Sequence, residues 1–425
     1  MTERLDTPEH APAPEQTIGV VQGTALYVCA ILGAGVLVLP GQAASLAGPA
    51  SLLAWGFSLL AGLPLAFTFA ALASRHPDAG GVATYAARAF GPAAGGIAGW
   101  WYFIAGSVGQ TIVPLTAGYY LCAAAGLDQR LAPLFAAGVL AAAVAANLAG
   151  LRIGARLQIA LAAAVAVILA AVIVIALPQL DPAAFRPFAP AGPAGIGRAT
   201  IVLFFAFAGW EAIAHLSGEF RDVRRTLPLA TACTAAIVGI LYLGVALAVV
   251  GTGTYGTPEL DRIALGRIVE NGLGLSAVVI MGVAAAIICL GTTNAFVASV
   301  SRLGFALGRD GWAPHWLGRR SARGVPVAAV LTVGGIGGAG LLGSALFGWG
   351  TDDLVFVPSV LVLVTYLLGA AAAWRLFSGR SRWVAGLAVA LLLIPAPFAA
   401  AHLLVPAAIA AILLGWRVAR GRRTG

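Results

Sequence analysis

An all-α protein that crosses a membrane many times is the fold class this sequence demands. Three features carry that reading: an apolar composition, a series of long apolar runs, and arginines confined to alternate loops. Hydrophobic residues make up 60% of the 425-residue chain and charged residues 10%, with a mean hydropathy of +0.95. An ordinary soluble chain is about one quarter charged. This chain has too little polar surface to cover a water-soluble globule. In a bilayer every backbone N–H and C=O must be paired within its own segment, and a spanning helix takes roughly 20 apolar residues. The alternating pattern of an outer-membrane barrel is absent.

Apolar runs place spans at about 18–47, 50–73, 94–124, 131–149, 156–178, 197–219, 228–251, 273–302, 325–346, 353–374, 383–398 and 401–417. That makes twelve. The last two are short and meet at residues 395–402, so eleven is the second count. The chain has no lysine, and 20 of its 25 bases fall in one set of loops. The exceptions are Arg130, Arg186, Arg198, Arg262 and Arg267, which mix with Asp128, Asp181, Glu259, Asp261, Glu270, Asp352 and Asp353. The positive-inside rule then puts both termini in the cytoplasm of a cell whose inner membrane holds the protein. Residues 1–17 read as a polar cytoplasmic tail and not a cleaved signal, and 418–425 as a basic tail.

The net charge of +9 is spread over short loops and does not mark a nucleic-acid surface. Cys29, Cys122, Cys233 and Cys289 all lie in apolar runs without CxxC spacing, and read as reduced packing residues and not a metal site. No cofactor motif is present.

Spans 1 and 6 are the most interrupted, and five spans separate their starts. An odd offset makes residues 197–374 an inverted copy of residues 18–178, with 383–417 outside the repeat. Broken helices at matching positions of two inverted halves are the sequence mark of a transporter's substrate site.

The first break reads Ile31-Leu32-Gly33-Ala34-Gly35-Val36, with Pro40 beyond it. Glycines here permit an unwound turn. The N–H groups and positive dipole end of the following half-helix suit a carboxylate, and the carbonyls ending the preceding half suit a cation. The simpler reading of Gly33 and Gly35 is close helix packing.

The second break reads Phe205-Ala206-Phe207-Ala208-Gly209-Trp210-Glu211, with His215 one turn on. A carboxylate at mid-membrane is costly and is a functional hypothesis by default. Two readings stand for Glu211: a proton carrier relayed by His215, or a cap that fixes the break. His215 alone reads as a packing or hydrogen-bonding residue. Glu219 sits among Arg221, Arg224 and Arg225 as an ion pair.

Four segments together resemble the amino acid–polyamine–organocation (APC) family, whose LeuT-type fold has five plus five inverted helices. They are Gly33-Ala34-Gly35-Val36 with Pro40; residues 75–92, including Gly80-Gly81 and Phe90-Gly91-Pro92; residues 208–228, including Gly209-Trp210-Glu211 and Glu219-Phe220; and residues 301–326, including Gly308-Arg309-Asp310-Gly311. The second break looks most like the branch that exports methionine and branched-chain amino acids.

The resemblance implies a secondary active transporter, not an enzyme, with an amino acid substrate; the Glu211 reading adds protons as the candidate coupling ion. Backbone N–H groups of Gly33, Ala34 and Gly35 would hold the substrate carboxylate, and carbonyls of Ile31, Phe205 and Ala208 its ammonium. Phe205 and Phe296 align with gating aromatics, though packing is the commoner fate of phenylalanine in a membrane helix. Ala34, Phe205, Phe207, Trp210 and Phe296 would form an apolar pocket, which disfavours basic substrates. Two departures stand out. The helix-5 lysine of several relatives aligns with Val165, and no Ser/Thr pair of a sodium site is evident, although Thr292, Thr293 and Ser299 lie on span 8. Import or exchange in the same family is the alternative direction, and monomer or homodimer the expected assembly.

Other classes fit less well. A twelve-helix major facilitator would carry a long central loop, whereas the loop after span 6 is short. A membrane enzyme would bring catalytic groups to one depth, but His10, His76, His315 and His402 are scattered.

Overall fold

The computed structural model describes residues 19–76, 81–150, 155–210 and 223–424. Among these residues the structure is helical, with no strand. Among the described residues nine helical stretches are long and apolar enough to cross a membrane, from Leu39–Arg75 to Ala401–Ala419. The expected first, third and sixth spans are not separately among them. The first and sixth are broken into short pieces. The third, α5 (Pro92–Ala125), is a continuous 34-residue helix rich in glycine and hydroxyl side chains. Nine continuous stretches leave the expected count of twelve open.

The first span is α1 (Val20–Ile31), a 3-10 turn over Ala34–Leu37, and α2 (Leu39–Ala47). The unwound stretch falls where Gly33 and Gly35 place it. Pro40 sits in the first turn of α2, where a missing N–H costs nothing. Next come α3 (Ser51–Arg75), α4 (Gly81–Phe90), α5, α6 (Ala132–Leu148) and α7 (Ala155–Ala176). The second half begins with α8 (Gly192–Leu203), whose chain leaves the helix over residues 204–209. It continues with α9 (Val223–Gly251), α10 (Pro258–Asp261), α11 (Ala264–Leu273) and α12 (Leu275–Arg309). The remaining helices are α13 (Val327–Phe347), α14 (Thr351–Leu354), α15 (Phe356–Leu376), α16 (Gly379–Leu393), α17 (Ala396–Ala399) and α18 (Leu404–Thr424).

Two short helices replace expected loops. In α4, Val82, Tyr85, Ala86 and Ala89 are buried at helical spacing against α5 and α15. In α11, Leu265, Ile268 and Val269 do the same against α7 and α12. Ten residues with one apolar stripe are too short to register as spans, so the sequence pattern hid them.

The centre of the molecule is built by α1, α3, α8 and α9, with α5 and α12 packed along one another beside them. Cys122, Cys233 and Cys289 are free thiols.

Candidate functional site

The geometry of the two breaks starts with backbone accounting. At the first, α1 ends with Leu32 N donating to Val28 O, and Gly33 turns extended at φ −88°, ψ −177°. Gly33 N donates to Ile31 O at 2.7 Å. The N–H groups of Ala34 and Gly35 head the 3-10 turn and meet no hydrogen-bond partner among the described residues. The first N–H groups of any helix lack an internal acceptor, so this pair faces outward as anion donors.

At the second break, Phe205 N reaches Val202 O at 3.2 Å and Ala206 N reaches Leu203 O at 2.9 Å, closing tight turns instead of a helix. Gly209 has φ +130°, a conformation side-chain-bearing residues rarely adopt. A Cβ there would also lie 2.6 Å from Ala30 O. Gly209 is therefore where the two broken spans touch backbone to backbone.

Three buried tyrosines from three other helices hold the second break. Tyr242 of α9 donates its hydroxyl to Ile31 O at 2.9 Å and Ala206 O at 3.2 Å, joining the breaks to each other. Tyr366 of α15 donates to Phe207 O at 3.2 Å and accepts from Gly209 N at 3.0 Å. Tyr27 of α1 donates to Trp210 O at 2.8 Å. A buried tyrosine must find a partner for its hydroxyl, and an unwound backbone supplies free carbonyls.

Against these breaks lies a cavity with about 600 Å³ of non-atom space, its open mouth included. Its walls include Ile31, Gly33, Ala34, Gly35, Phe205 and Ala208, so the structure brings together all six residues expected at the substrate. Phe296 of α12 lines it as well. The Ile31 carbonyl, however, already accepts from Gly33 N–H and the Tyr242 hydroxyl, which fills both lone pairs. Among the described residues the carbonyls of Phe205 and Ala208 meet no donor, and these two remain able to take an ammonium.

Two expected pocket residues are elsewhere. Phe207 is buried against Trp55 and Tyr242, with ring centroids 6.2 and 5.6 Å away. Trp210 is buried edge-on to Tyr27 at 5.6 Å and against Gly62 of α3. Neither lines the cavity. The resemblance put them in the pocket, but the tight turns over residues 204–209 carry their side chains away from it. Glu211, His215 and Glu219 lie outside the described residues.

Phe205 separates this cavity from a smaller one of about 210 Å³. Its ring edge lies 3.4 Å from where a Cβ on Gly35 would sit and 3.5 Å from one on Gly109 of α5. The larger cavity is on the α1 side, with Ala30, Tyr102 and Thr292 in its walls. The smaller is on the α2 side, with Val38, Gln42 and Thr116.

Beyond the smaller cavity the molecule is tied shut. Gln42 donates to Thr351 Oγ1 at 2.8 Å, and Tyr120 donates to Leu37 O at 2.9 Å. Arg262 contacts Asp352 Oδ1 through Nε at 3.1 Å and Nη2 at 2.8 Å, with its guanidinium 4.9 Å from the Tyr119 ring centroid. Neighbouring Asp261 is buried and accepts from Gly256 N at 2.9 Å. Burial pushes its carboxyl above the usual carboxylate range, against the pull of hydrogen bonds from Ser45 and Gly256.

Sequence reading missed Tyr27, Tyr102, Gln110 and Tyr242. Each is a solitary polar group in an apolar run, and that isolation was the available signal.

Two unwound, touching helices flanking a cavity at the centre of a helical membrane protein define a secondary-transporter fold. The same fold occurs in the crystal structure of MhsT in complex with L-phenylalanine: TM-score 0.64, 17% identity, covering 93% of this chain and 99% of that one. The amino acid permease family model matches residues 18–416, and the chain belongs to that family, within the APC group. It is thus a multi-pass membrane transporter of amino acids with the LeuT-type fold, and not an enzyme. Among relatives, an uncharacterized amino acid permease of Bacillus subtilis, YecA, is 32% identical over 94% of this chain and 95% of its own. The L-methionine/branched-chain amino acid exporter YjeH of Escherichia coli is 29% identical over 87% and 88%. The branched-chain amino acid permease BcaP of Lactococcus lactis is 28% identical over 73% and 72%.

Proposed function

We propose that this protein exports neutral, apolar amino acids (methionine, leucine, isoleucine and valine) across the inner membrane by alternating access. The observation that carries the reading is the cavity at the two breaks. Among the described residues it offers two N–H groups without an acceptor at Ala34 and Gly35, two carbonyls without a donor at Phe205 and Ala208, and a mostly apolar remainder. A zwitterion fits that set, with its carboxylate on the N–H groups and its ammonium on the carbonyls. Gly33 shapes the first break while its own N–H stays within the chain. Phe205 and Phe296 are the lid and the facing wall, and the α1 side of the cavity opens to the cytoplasm where both termini lie. The names of the E. coli and L. lactis relatives support this substrate class, and the former supports the direction.

Glu211 is the proton carrier of the cycle, with His215 as its partner. Its motivation is chemical: an acid beside a flexible point of a broken span gains or loses a proton as water reaches it.

The test is counterflow in proteoliposomes with labelled methionine, leucine, arginine and putrescine, with and without a pH gradient. Exchange restricted to arginine and putrescine would sink the substrate reading. Glu211→Gln should retain methionine exchange but lose its response to the pH gradient. An unchanged response removes the proton role and leaves Glu211 as a cap.

A further inference from the structure

The cavity wall on α5 carries one polar side chain whose acceptor nothing among the described residues satisfies. Gln110 is 1% exposed and lines the cavity. Its Nε2 donates to Gly106 O, one turn back, at 2.9 Å. A carbonyl can receive only a donor, so this bond fixes the amide orientation and turns Oε1 away from it. Oε1 has no partner among the described residues. A buried acceptor without a donor is costly, and a ligand that brings a donor to it removes that cost.

The location points to which part of a substrate would do so. Tyr102, Ala105, Gly106, Gly109, Gln110 and Val113 form the α5 wall. The stem of Gln110 is wedged against α13, where a Cβ on Gly337 would lie 2.9 Å from Gln110 Cβ. Residue 337 belongs to a helix that contributes nothing to the cavity lining or to either break. The groups suited to carboxylate and ammonium sit on the two broken spans. Gln110 is therefore placed to meet the remaining part of an amino acid, its side chain.

We propose that Gln110 is a specificity-determining residue whose Oε1 accepts a hydrogen bond from the substrate side chain. The transporter then takes neutral amino acids ending in a donor, an amide or a hydroxyl, beside apolar ones of the same size. This rests on the amino-acid cavity reading above and extends its substrate class. A site built around a buried acceptor favours the ligand that supplies a donor over an isostere that does not.

Competition against labelled-methionine counterflow tests it, using near-isosteric pairs: glutamine with methionine, and threonine with valine. Full-length wild type, Gln110→Leu and Gln110→Glu are compared. In wild type, glutamine should compete within about tenfold of methionine. In Gln110→Leu, glutamine should weaken relative to methionine by about tenfold, the factor that one hydrogen bond of roughly 1.4 kcal/mol represents, and this ratio is the readout whatever the change in methionine itself. Gln110→Glu keeps the size and an acceptor, so glutamine should still compete and lysine should begin to; if the leucine variant does not fold, absence of lysine competition here overturns the proposal. Parallel loss of methionine and glutamine in Gln110→Leu, or an unmoved ratio, also overturns it. Wild type that exchanges methionine but excludes glutamine and threonine overturns it and leaves the amino-acid reading standing. Wild type that exchanges no amino acid overturns both.

Discussion

On the α1 side of Phe205, apolar walls stand apart around a cavity of about 600 Å³. On its α2 side, a space of about 210 Å³ is capped by polar contacts that join the end of the first span, the top of α5, the α10 segment and the start of α14. One side holds the larger space, and the other is closed by groups that can be exchanged for water. Hydrophobic contact is non-directional and has no off switch, whereas a hydrogen bond or ion pair at a membrane face can be remade with solvent at small net cost. A carrier that must open each side in turn needs the second kind of closure. Phe205 is the boundary because glycines at 35 and 109 leave room for its ring between the first span and α5.

The contrast can be broken most severely at Gly209. Gly209→Ala places a Cβ at φ +130° and against Ala30 O, and strain of this kind costs of order 1–3 kcal/mol before the clash. We expect loss of counterflow with a lowered melting temperature in detergent. Full transport by Gly209→Ala would show that the two spans do not need this approach.

Tyr242→Phe removes the hydroxyl that joins the breaks and leaves the Ala206 carbonyl without its tyrosine donor, while Ile31 O keeps only Gly33 N–H, at a cost of about 1–3 kcal/mol. Because Ile31 and Ala206 both lose a donor, affinity should fall about tenfold while stability changes less. The check is substrate-dependent thermal stabilisation; an unchanged concentration dependence would separate Tyr242 from the site.

A smaller effect belongs to the closed side. Asp352→Asn breaks the pair with Arg262, whose side chain is 13% exposed against 35% for Asp352. The half-exposed carboxylate limits the pair to about 1 kcal/mol. We expect a shift toward the state open on the α2 side, read as faster labelling of a cysteine introduced at Thr116 by an impermeant thiol reagent. Slower labelling would mean that the pair holds that side open.

The smallest effect is the pH dependence of Asp261. Its folded-state carboxyl is raised above the ordinary value, so the folded form binds the proton more tightly than the unfolded chain. Stability from this group is present below the unfolded value and is lost as pH rises through the folded one. Thermal stability should therefore rise as pH is lowered into the acidic range, and Asp261→Asn should flatten that slope. A slope that survives the substitution belongs to another group.

Much of the fold was legible in the chain because the bilayer enforces it. Long apolar runs become helices, arginines divide the loops, and Gly33, Gly35 and Gly209 mark where helices cannot continue. The first break was expected at residues 31–36, and α1 does end at Ile31 with α2 starting at Leu39. The six backbone and gate positions named from the motifs do share one cavity. What the motifs could not give was direction. Phe207 and Trp210 are adjacent in sequence to cavity residues, yet tight turns over residues 204–209 rotate them into the aromatic cluster with Trp55, Tyr242 and Tyr27.

The sequence alone therefore determined the membrane setting, the helical class, the positions of the breaks and the family, because solvent, backbone pairing and glycine placement are local constraints. Only the tertiary structure decided which groups at the breaks are still free. Tyr242 comes from more than two hundred residues beyond Ile31 to occupy its carbonyl. Gln110 is left with an open acceptor because no donor among the described residues arrives beside it. Hydrogen-bond satisfaction is settled between distant segments, and no local pattern records it.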